Sequence, residues 1–543
     1  MLDQNVTQCN TLIEGLLDDT DIEDALKDLS SGKSDGNIGI YSDHFLLGTK
    51  LLWKYLTLLF NSMLVHGFTP SQMLIGTIIP IIKNKRESSS NSDNFRGICL
   101  QSSLCKILDI IILKKEYKSL ETSELQFGFK KGLSANVAAS IVQETIDYYS
   151  NRGGRVYCLA LDASKAFDRV AFSQLFKCLV KRKMNPILIR LLINMYTNQI
   201  NRVRYNQSFS ELFTVTNGVK QGGVLSPTLF SVYVNELLDN MQNSGYGCSI
   251  GDKFVGCVSY ADDIIILCAS LYGLKQMIKI CESYALEYQI KFNGNKSKLM
   301  IFSRDKSIVQ VEIKVFNEVV EIVESMNYLG FKMSSGIEDS YLGAIIKDFN
   351  VKFNIFMGDF QGIKSKLKCE LFSTYCTSYY GSNLCDFHRL DSLEVQWRKA
   401  LRRIWILPYR AHCNLLYNVC KLNSPKVLFL TRFMRYFLTN VASSNSVVKY
   451  IFQSATRENS RLGNNLRYIL HKVNLNVRDM TINEWNYNDI YNLITDNWKN
   501  NFMEEDIRIS EQILDLIEKR DSLEPWILNR GEIQNVIDML ATT

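Results

Sequence analysis

Long apolar runs are missing from this sequence. The longest stretches, such as Met73–Ile82 and Ile264–Ala269, fall well short of the ~18 residues that a membrane-spanning helix needs. The first residues, Met1–Gln4, are acidic and polar, which is not the pattern of a secretory signal peptide. With 46% hydrophobic and 22% charged residues, the sequence predicts a globular protein with several subdomains and no membrane partner.

A cysteine motif is also missing, although the chain has 14 cysteines. None of them forms a CxxC pair. Cys413 and Cys420 lie near His388 and His412 in the sequence, but these spacings fit no common zinc site. The sequence therefore predicts buried free thiols in a reducing compartment.

The net charge is low as well, at +6, and does not by itself identify a nucleic-acid partner. One acid-free stretch, however, interleaves basic and aromatic side chains: Trp397, Arg398, Lys399, Arg402, Arg403, Trp405, Tyr409 and Arg410. Such a mixture suits a phosphate backbone with stacked bases. It also suits a helix whose charged face is solvated and whose tryptophans lie in the core, and the sequence leaves both interpretations open.

The apolar pattern changes along the chain. Residues 1–40 are acidic and weakly patterned, which predicts a loosely ordered lead-in. Helical signals cover three segments: about Phe45–Leu64, Asn185–Tyr196 and Leu271–Gln289. Strand signals cover three others: Arg155–Leu161, Phe254–Tyr260 and Ser297–Ser303. Because strands and helices do not alternate regularly, and the pattern beyond about Ser340 is helical, we expect an α+β core and a helical C-terminal region.

Two acidic sites each follow a hydrophobic strand. Asp162 ends the first strand, and Asp262 and Asp263 lie between two apolar runs, as in a tight hairpin with acids at its tip. Adjacent carboxylates repel one another unless a cation neutralises them. If Asp162 comes from a neighbouring strand, the three can hold two Mg²⁺ ions ~4 Å apart, the arrangement that carries out phosphoryl transfer.

The motifs around these acids resemble those of reverse transcriptases from non-LTR (LINE-type) retrotransposons. Tyr260–Asp263 is similar to the YADD box, and Asp162–Asp168 (DASKAFD) resembles the first aspartate motif. The other resembling segments, in the family order, are Ile79–Lys83, Asn94–Ile98, Gln126–Phe129, Asn217–Pro227, Asn293–Ser297 and Tyr328–Gly330. Together they cover roughly Met63 to Ser335.

The resemblance implies an RNA-directed DNA polymerase that extends a DNA primer with dNTPs on an RNA template. The catalytic and metal-binding residues are then Asp162, Asp262 and Asp263, holding two Mg²⁺ ions or Mn²⁺ in their place. The nucleotide-binding residues are Lys83 and Arg96 on the triphosphate, Phe167 beneath the sugar and Lys296 as proton donor to pyrophosphate. Gln221 would brace the template or incoming base, and Gly222 would let the backbone approach the nucleotide closely. Taken alone, Lys83, Arg96 and Lys296 are more often surface charges.

The fold that the resemblance implies is a right-handed polymerase. We expect a lead-in and finger extension at 1–62, fingers and palm at 63–335, a helical thumb at 336–410 and a helical C-terminal region at 411–543. The chain offers no room for the apurinic-type endonuclease that usually precedes the polymerase, so we expect a polymerase-bearing fragment or a 5′-truncated copy. An intracellular location, in the nucleus or cytoplasm, follows from the resemblance.

Two alternatives stay open. The chain could be an inactive or domesticated relic that binds RNA, although the intact Asp162, Asp262 and Asp263 argue against decay. It could also be an enzyme of the group II intron or telomerase type. The YADD box does not separate these, whereas the DASKAFD motif and the Trp397–Trp405 stretch favour the retrotransposon.

Overall fold

The fold combines helices with β-sheets, as the sequence predicted. The computed structural model describes residues 16–35, 39–85, 87–303, 311–336, 340–407, 413–475 and 486–499. Within them lie two five-stranded sheets, three two-stranded sheets and a C-terminal part made of helices. No helix in these ranges is long and apolar enough to cross a membrane.

The N-terminal part is mainly helical and ends in a β-hairpin and a helix. Its elements are α1 (Asp19–Lys27), α2 (Ser42–Leu46), α3 (Lys50–His66), α4 (Ser71–Leu74), β1 (Ile75–Ile82), β2 (Phe95–Leu100) and α5 (Ser103–Lys115). The predicted helix at Phe45–Leu64 is confirmed, divided between α2 and α3.

The expectation of a loosely ordered lead-in is wrong for α1. Asp18 caps this helix by accepting hydrogen bonds from the N–H groups of Thr20 and Asp21. One face of the helix buries Ile22, Ala25 and Leu26 against the hydrophobic core. The acids that suggested disorder are the cap and the solvated face of an amphipathic helix. Residues 1–15 lie outside the described residues.

The middle part carries most of the strands. Its elements are α6 (Ala135–Asn151), β3 (Val156–Ala163), α7 (Phe172–Lys181), α8 (Pro186–Thr197), β4 (Ile200–Tyr205), β5 (Ser208–Phe209), β6 (Phe213–Thr214), α9 (Ser226–Asn243), β7 (Ser249–Ile250), β8 (Lys253–Phe254), β9 (Cys257–Tyr260), β10 (Asp263–Cys268), α10 (Leu271–Glu287), β11 (Phe292–Phe302), β12 (Lys314–Val315), β13 (Glu318–Val319), β14 (Glu321–Ile322), β15 (Ser325–Tyr328) and β16 (Phe331–Ser334). The predicted strands at Arg155 and Ser297 and the helices at Asn185 and Leu271 are confirmed, with ends shifted by up to five residues. The predicted strand at Phe254–Tyr260 is divided between β8 and β9. Asn185 caps α8 as expected, accepting from the N–H of Ile187.

Two sheets frame the middle part. The first has the strand order β2-β1-β4-β5, with β6 also on β4. The second, which we call the acidic sheet, has the order β14-β11-β3-β10-β9. Its strands are apolar on both faces because helices cover both, α6 on one side and α9 and α10 on the other. This sheet carries all three predicted catalytic aspartates at one end.

The C-terminal part is helical, as predicted. Its helices are α11 (Ser340–Asp359), α12 (Ser365–Cys376), α13 (Asp391–Trp405), α14 (Cys413–Cys420), α15 (Pro425–Val441), α16 (Ser446–Ala455), α17 (Arg461–Lys472) and α18 (Tyr487–Lys499). Trp397 and Trp405 of α13 are fully buried, Trp397 among aromatic side chains, so they offer no stacking surface. The core interpretation of the Trp397–Trp405 stretch is therefore confirmed for the tryptophans. Tyr409 and Arg410 lie outside the described residues.

The cysteines follow the same pattern of burial. Every cysteine whose side chain the structure describes is buried and free, which confirms the predicted buried thiols. Of the His and Cys residues weighed as a zinc site, His412 and Cys413 have side chains outside the described part of the structure.

Helix α6 joins the C-terminal helices to the acidic sheet. Its carboxylates Glu144 and Asp147 accept the first N–H groups of α17, from Leu462 at 2.9 Å and Arg461 at 2.7 Å. Negative charge at a helix N-terminus is favourable, but here it is buried. Burial raises the pKa of both carboxyl groups, and for Glu144 the negative charge of Asp147 acts in the same direction.

Replacing Glu144 with Gln should make the thermal stability less dependent on pH. The raised pKa means that the folded chain keeps a proton that the unfolded chain loses above about 4.5, so wild-type stability falls as pH rises from there. Glutamine can still accept from Leu462 without titrating. We expect the melting temperature of the variant to exceed that of wild type at pH 8 and to converge with it at pH 5. Equal pH dependence of the two proteins would contradict this, and Glu458→Gln, in the exposed pair with Arg152 at the same interface, is the control.

Candidate functional site

The paired acids lie at the tip of a β-hairpin. Strands β9 and β10 are antiparallel, with Tyr260 opposite Asp263, so that Ala261 and Asp262 form a two-residue turn. Ala261 has a φ of 59°, the left-handed conformation that such turns require. The tight acidic hairpin expected from the sequence is thus confirmed.

Asp162 comes from the strand beside this hairpin. Strand β3 pairs with β10 so that Leu161 lies opposite Ile264, and one step further along this register brings Asp162 beside Asp263. On its other side, β11 places Asn293 opposite Asp162. The N–H of Asp162 donates to Ser297 Oγ at 3.1 Å, which fixes the end of the strand.

The charges of the three aspartates interact. The pKa of Asp263 is raised to about 6, first by loss of solvation and then by the negative charges of Asp262 and Asp162. The pKa of Asp262 is also raised, mainly by burial, and Asp162 adds to the shift. Arg96 acts in the opposite direction on both groups, so it lies close enough to stabilise their charged forms. A bound cation would stabilise the charged forms of these aspartates.

One cleft of about 1000 Å³ brings eight of the nine predicted site residues together. They are Lys83, Arg96, Asp162, Phe167, Gln221, Gly222, Asp262 and Lys296. Asp263 does not line the cleft, although it neighbours Asp162 in the sheet. Of the three predicted catalytic aspartates, a ligand in the cleft would therefore meet Asp162 and Asp262.

The donor set for a metal consists of these carboxylates. Within the described residues, no three His, Cys, Asp or Glu side chains are close enough together to hold a metal ion. The three aspartates therefore do not converge on one point as their side chains lie. The chemistry still fits a hard divalent cation, because carboxylate oxygens are its preferred ligands and the charged form of Asp262 is disfavoured by burial and by the neighbouring charge of Asp162.

Gln126 stabilises the β9–β10 hairpin through hydrogen bonds, although it was not among the site residues predicted from the sequence. Its fully buried side chain donates to Ser259 Oγ at 3.0 Å and accepts from the N–H groups of Ala261 and Gly128, each at 2.9 Å. A Cβ on Gly128 would lie 2.6 Å from the nitrogen of Ala261, so this position needs glycine. The Gln126–Phe129 motif thus fixes the turn that carries Asp262.

Gln126→Leu should destabilise the fold by about 2–4 kcal/mol, because two buried N–H groups and a buried hydroxyl lose their partner. Chemical denaturation of the purified variant measures this loss. Gln143→Leu is a matched control, since Gln143 is a half-buried glutamine on α6 that bonds Asp147 and Tyr341 away from the cleft. A Gln126 variant as stable as wild type would show that the hairpin does not depend on this amide.

The loop at Gln221–Gly223 packs against the first sheet. The backbone oxygen of Gln221 accepts a hydrogen bond from the N–H of Cys99 at 2.7 Å. Gly222 has a φ of 102°, and a Cβ there would lie 3.1 Å from both Cys99 O and Ile98 Cγ2. The contact that requires glycine is thus with β2, whereas the sequence suggested a close approach to the nucleotide. Both residues line the cleft, and the Gln221 amide donates to Asp168 Oδ1 at 2.9 Å.

Phe167 is half-buried between the core and the cleft. Its ring stacks on Phe230 with centroids 4.7 Å apart, and it meets Phe129 edge-on at 6.4 Å. The same ring lines the cleft beside Asp162. The position is compatible with a platform under a sugar and also with a core residue.

Cations outnumber acids along the cleft. The cationic side chains are Lys83, Arg96, Lys165, Arg169, Lys291 and Lys296, and the acidic ones are Asp93, Asp162, Asp168 and Asp262. Lys296 is turned to the cleft by an irregularity of β11 between Asn293 and Lys298. Lys165, which the sequence analysis did not assign, forms an ion pair with Asp93 at 2.9 Å. The cleft can receive a polyanion next to its paired carboxylates.

The family of this part of the chain follows from comparison with known proteins. Residues 82–333 match the family described as reverse transcriptase (RNA-dependent DNA polymerase). This segment is a reverse transcriptase domain. It contains Asp162, Asp262 and Asp263 and every residue that lines the cleft.

Relatives of this reverse transcriptase domain are proteins of mobile elements. The chain is 27% identical to an RNA-directed DNA polymerase from mobile element jockey of Drosophila funebris, over 46% of this chain and 28% of the relative. It is also 27% identical to a Pol polyprotein from type-1 retrotransposable element R2 of Popillia japonica, over 37% of this chain and 28% of the relative. The chain thus spans less than a third of the length of these relatives.

Solved telomerase structures also align with the chain. A truncated apo telomerase from Candida tropicalis covers 53% of this chain and 59% of its own, with 14% identity and a TM-score of 0.35. Telomerase from Candida albicans, with a telomeric RNA fragment, covers 74% of this chain and 68% of its own, with 14% identity and a TM-score of 0.34.

Proposed function

We propose that this chain is an RNA-directed DNA polymerase of a non-LTR retrotransposon, which extends a primer 3′-hydroxyl with dNTPs on an RNA template. The observation that carries the proposal is that Asp162 and Asp262 line one cleft together with Lys83, Arg96 and Lys296. Two-metal nucleotidyl transfer needs this combination of carboxylates and cations. The jockey relative, an RNA-directed DNA polymerase, supports the choice of template and product.

In this proposal the carboxylates hold two Mg²⁺ ions. Asp162 and Asp262 would bind them, with Asp263 next to Asp162 in the sheet as an additional negative charge. When bound, the ions would lower the pKa of the primer hydroxyl and neutralise the leaving pyrophosphate. Arg96, which already stabilises the charged aspartates, would shift part of its interaction from the aspartates to the triphosphate.

The remaining side chains would position the nucleotide. Arg96 offers a forked donor to the triphosphate and Lys83 a point charge. Lys83 Nζ donates to the backbone oxygen of Asp93 at 2.8 Å and would have to exchange this bond for a phosphate. Lys296 would give a proton to pyrophosphate, Phe167 would support the sugar, and the Gln221–Gly222 loop would lie under the base.

The domain division is proposed with the same function. Fingers and palm would occupy 63–335, because both five-stranded sheets lie there. The helices within 336–410 would form the thumb, and 411–543 a C-terminal region. The segment 1–62 would extend the fingers, since α1 packs on α5 through the Lys115–Asp21 ion pair at 2.8 Å.

Primer extension tests this proposal against the RNA-binding relic. The purified chain receives a DNA primer annealed to RNA, four dNTPs and Mg²⁺, and we expect extension to the template end. A relic would shift the RNA in a gel but leave the primer at its starting length. Extension on a DNA template of the same sequence, at equal or higher rate, would contradict the RNA preference.

A further inference from the structure

An ion pair connects the two sides of the cleft. Asp93 belongs to the loop between β1 and β2, and Lys165 to the turn that follows β3 and Asp162. Their carboxylate and ammonium groups lie 2.9 Å apart, with side chains 69% and 60% exposed. Both residues line the cleft. The contact therefore spans the space that a ligand of the cleft would occupy.

Asp93 is surrounded by more than one cation. Lys165 makes the ion pair, Lys83 Nζ bonds the Asp93 backbone oxygen at 2.8 Å, and the charge of Lys296 also acts on the carboxylate. The pKa of Asp93 is lowered chiefly by its hydrogen bond and ion pair with Lys165, and then by Lys83 and Lys296. One carboxylate thus lies among three lysines, none of which forms an ion pair with another acid in the described part of the chain.

The turn presents the Lys165 side chain into the cleft. Lys165 has a φ of 50°, which a lysine rarely adopts. The conformation is held by the N–H groups of Asp168 and Arg169, which both donate to the Lys165 oxygen. Lys165 therefore lies three residues after Asp162, and its ammonium group reaches the Asp93 carboxylate of the β1–β2 loop.

We propose that Lys165 is a further triphosphate-binding residue and that the Asp93 carboxylate occupies the place of a phosphate until nucleotide displaces it. This inference rests on the proposed function, since it assumes that a dNTP enters the cleft. A triphosphate carries several negative charges where Asp93 carries one, so it competes successfully for the three lysines. Exposed ion pairs are weak, so breaking Lys165–Asp93 costs the ligand only a few-fold in affinity.

The two partners should then have opposite effects on dNTP affinity. Lys165→Met removes a phosphate contact and should weaken dNTP binding by about tenfold. Asp93→Asn removes the competitor and should strengthen binding by about two- to fivefold. In the double variant the Asp93 effect should shrink, because Lys165, the ion-pair partner of Asp93, is no longer there to be released. Lys165→Arg keeps the charge and should bind within about threefold of wild type.

The experiment measures the dissociation constant of the next dNTP directly. The full chain is loaded with an RNA template and a primer ending in a dideoxynucleotide, so that no chemistry occurs. Lys181→Met is the matched control, because Lys181 is 61% exposed and pairs with Glu236 outside the cleft. The opposite shifts, and a smaller Asp93→Asn effect in the double variant, support the proposal. Equal affinities of wild type and Lys165→Met, or an Asp93→Asn effect that keeps its full size without Lys165, overturn it. Failure of the wild-type complex to hold any dNTP would instead contradict the proposed function.

Discussion

Replacing Asp262 with Ala should lower the rate of primer extension by at least ~10³-fold, equivalent to about 4 kcal/mol of transition-state stabilisation. Asp262 is the hairpin acid that lines the cleft, and burial together with the negative charge of Asp162 raises its pKa, so a bound cation would stabilise its charged form. Without it, the proposed metal pair loses a shared ligand. Single-turnover extension on an RNA template measures the effect.

The control separates lost chemistry from lost folding. Asp252→Ala removes an acid at the turn between β7 and β8, where Asp252 is 71% exposed and pairs only weakly with Lys253 at 3.6 Å. This variant should extend primers at the wild-type rate. Both variants should melt within a few degrees of wild type, and near-normal extension by Asp262→Ala would remove the catalytic assignment.

Phe167→Val should relax the preference for deoxynucleotides by roughly a hundredfold if exclusion by the ring is worth ~3 kcal/mol. The ring lines the cleft beside Asp162 and is held flat against Phe230, so a smaller side chain opens space for a 2′-hydroxyl. Deoxynucleotide use should fall modestly while ribonucleotide incorporation rises. Incorporation efficiencies of one dNTP and its matching rNTP, in wild type and variant, give the ratio.

The competing explanation is that Phe167 only fills the core. In that case the valine would leave a cavity, lower stability and reduce both incorporations together, with the ratio unchanged. Phe176→Val is the control for such a loss, since Phe176 packs edge-on against Tyr196 away from the cleft. An unchanged sugar preference in Phe167→Val would defeat the proposed gate.

The acidic hairpin could be predicted because its signals are local. Two apolar runs flank a short polar pair, and a hairpin is the simplest way to pair such strands. The neighbouring position of Asp162 came from the family resemblance, since nothing in the local sequence sets the register between β3 and β10. Helix caps such as Asn185 are local in the same way and were also predictable.

The contacts that support the site could not be predicted because they join distant segments. Gln126 and Ala261 are 135 residues apart, and a buried amide has no pattern of its own in a sequence. The same holds for Glu144 and Leu462, which are 318 residues apart. Helix α1 was missed for another reason, since its cap and its solvated acids resemble the composition of a disordered segment.

The most direct test of the central claim is the sequence of the DNA that the chain makes. The purified chain is incubated with a defined RNA, an annealed DNA primer, dNTPs and Mg²⁺, and the products are sequenced. We predict DNA complementary to the RNA from the wild-type chain and none from Asp162→Asn. A wild-type chain that binds the primer–template but leaves the primer unextended would contradict the assignment as an RNA-directed DNA polymerase.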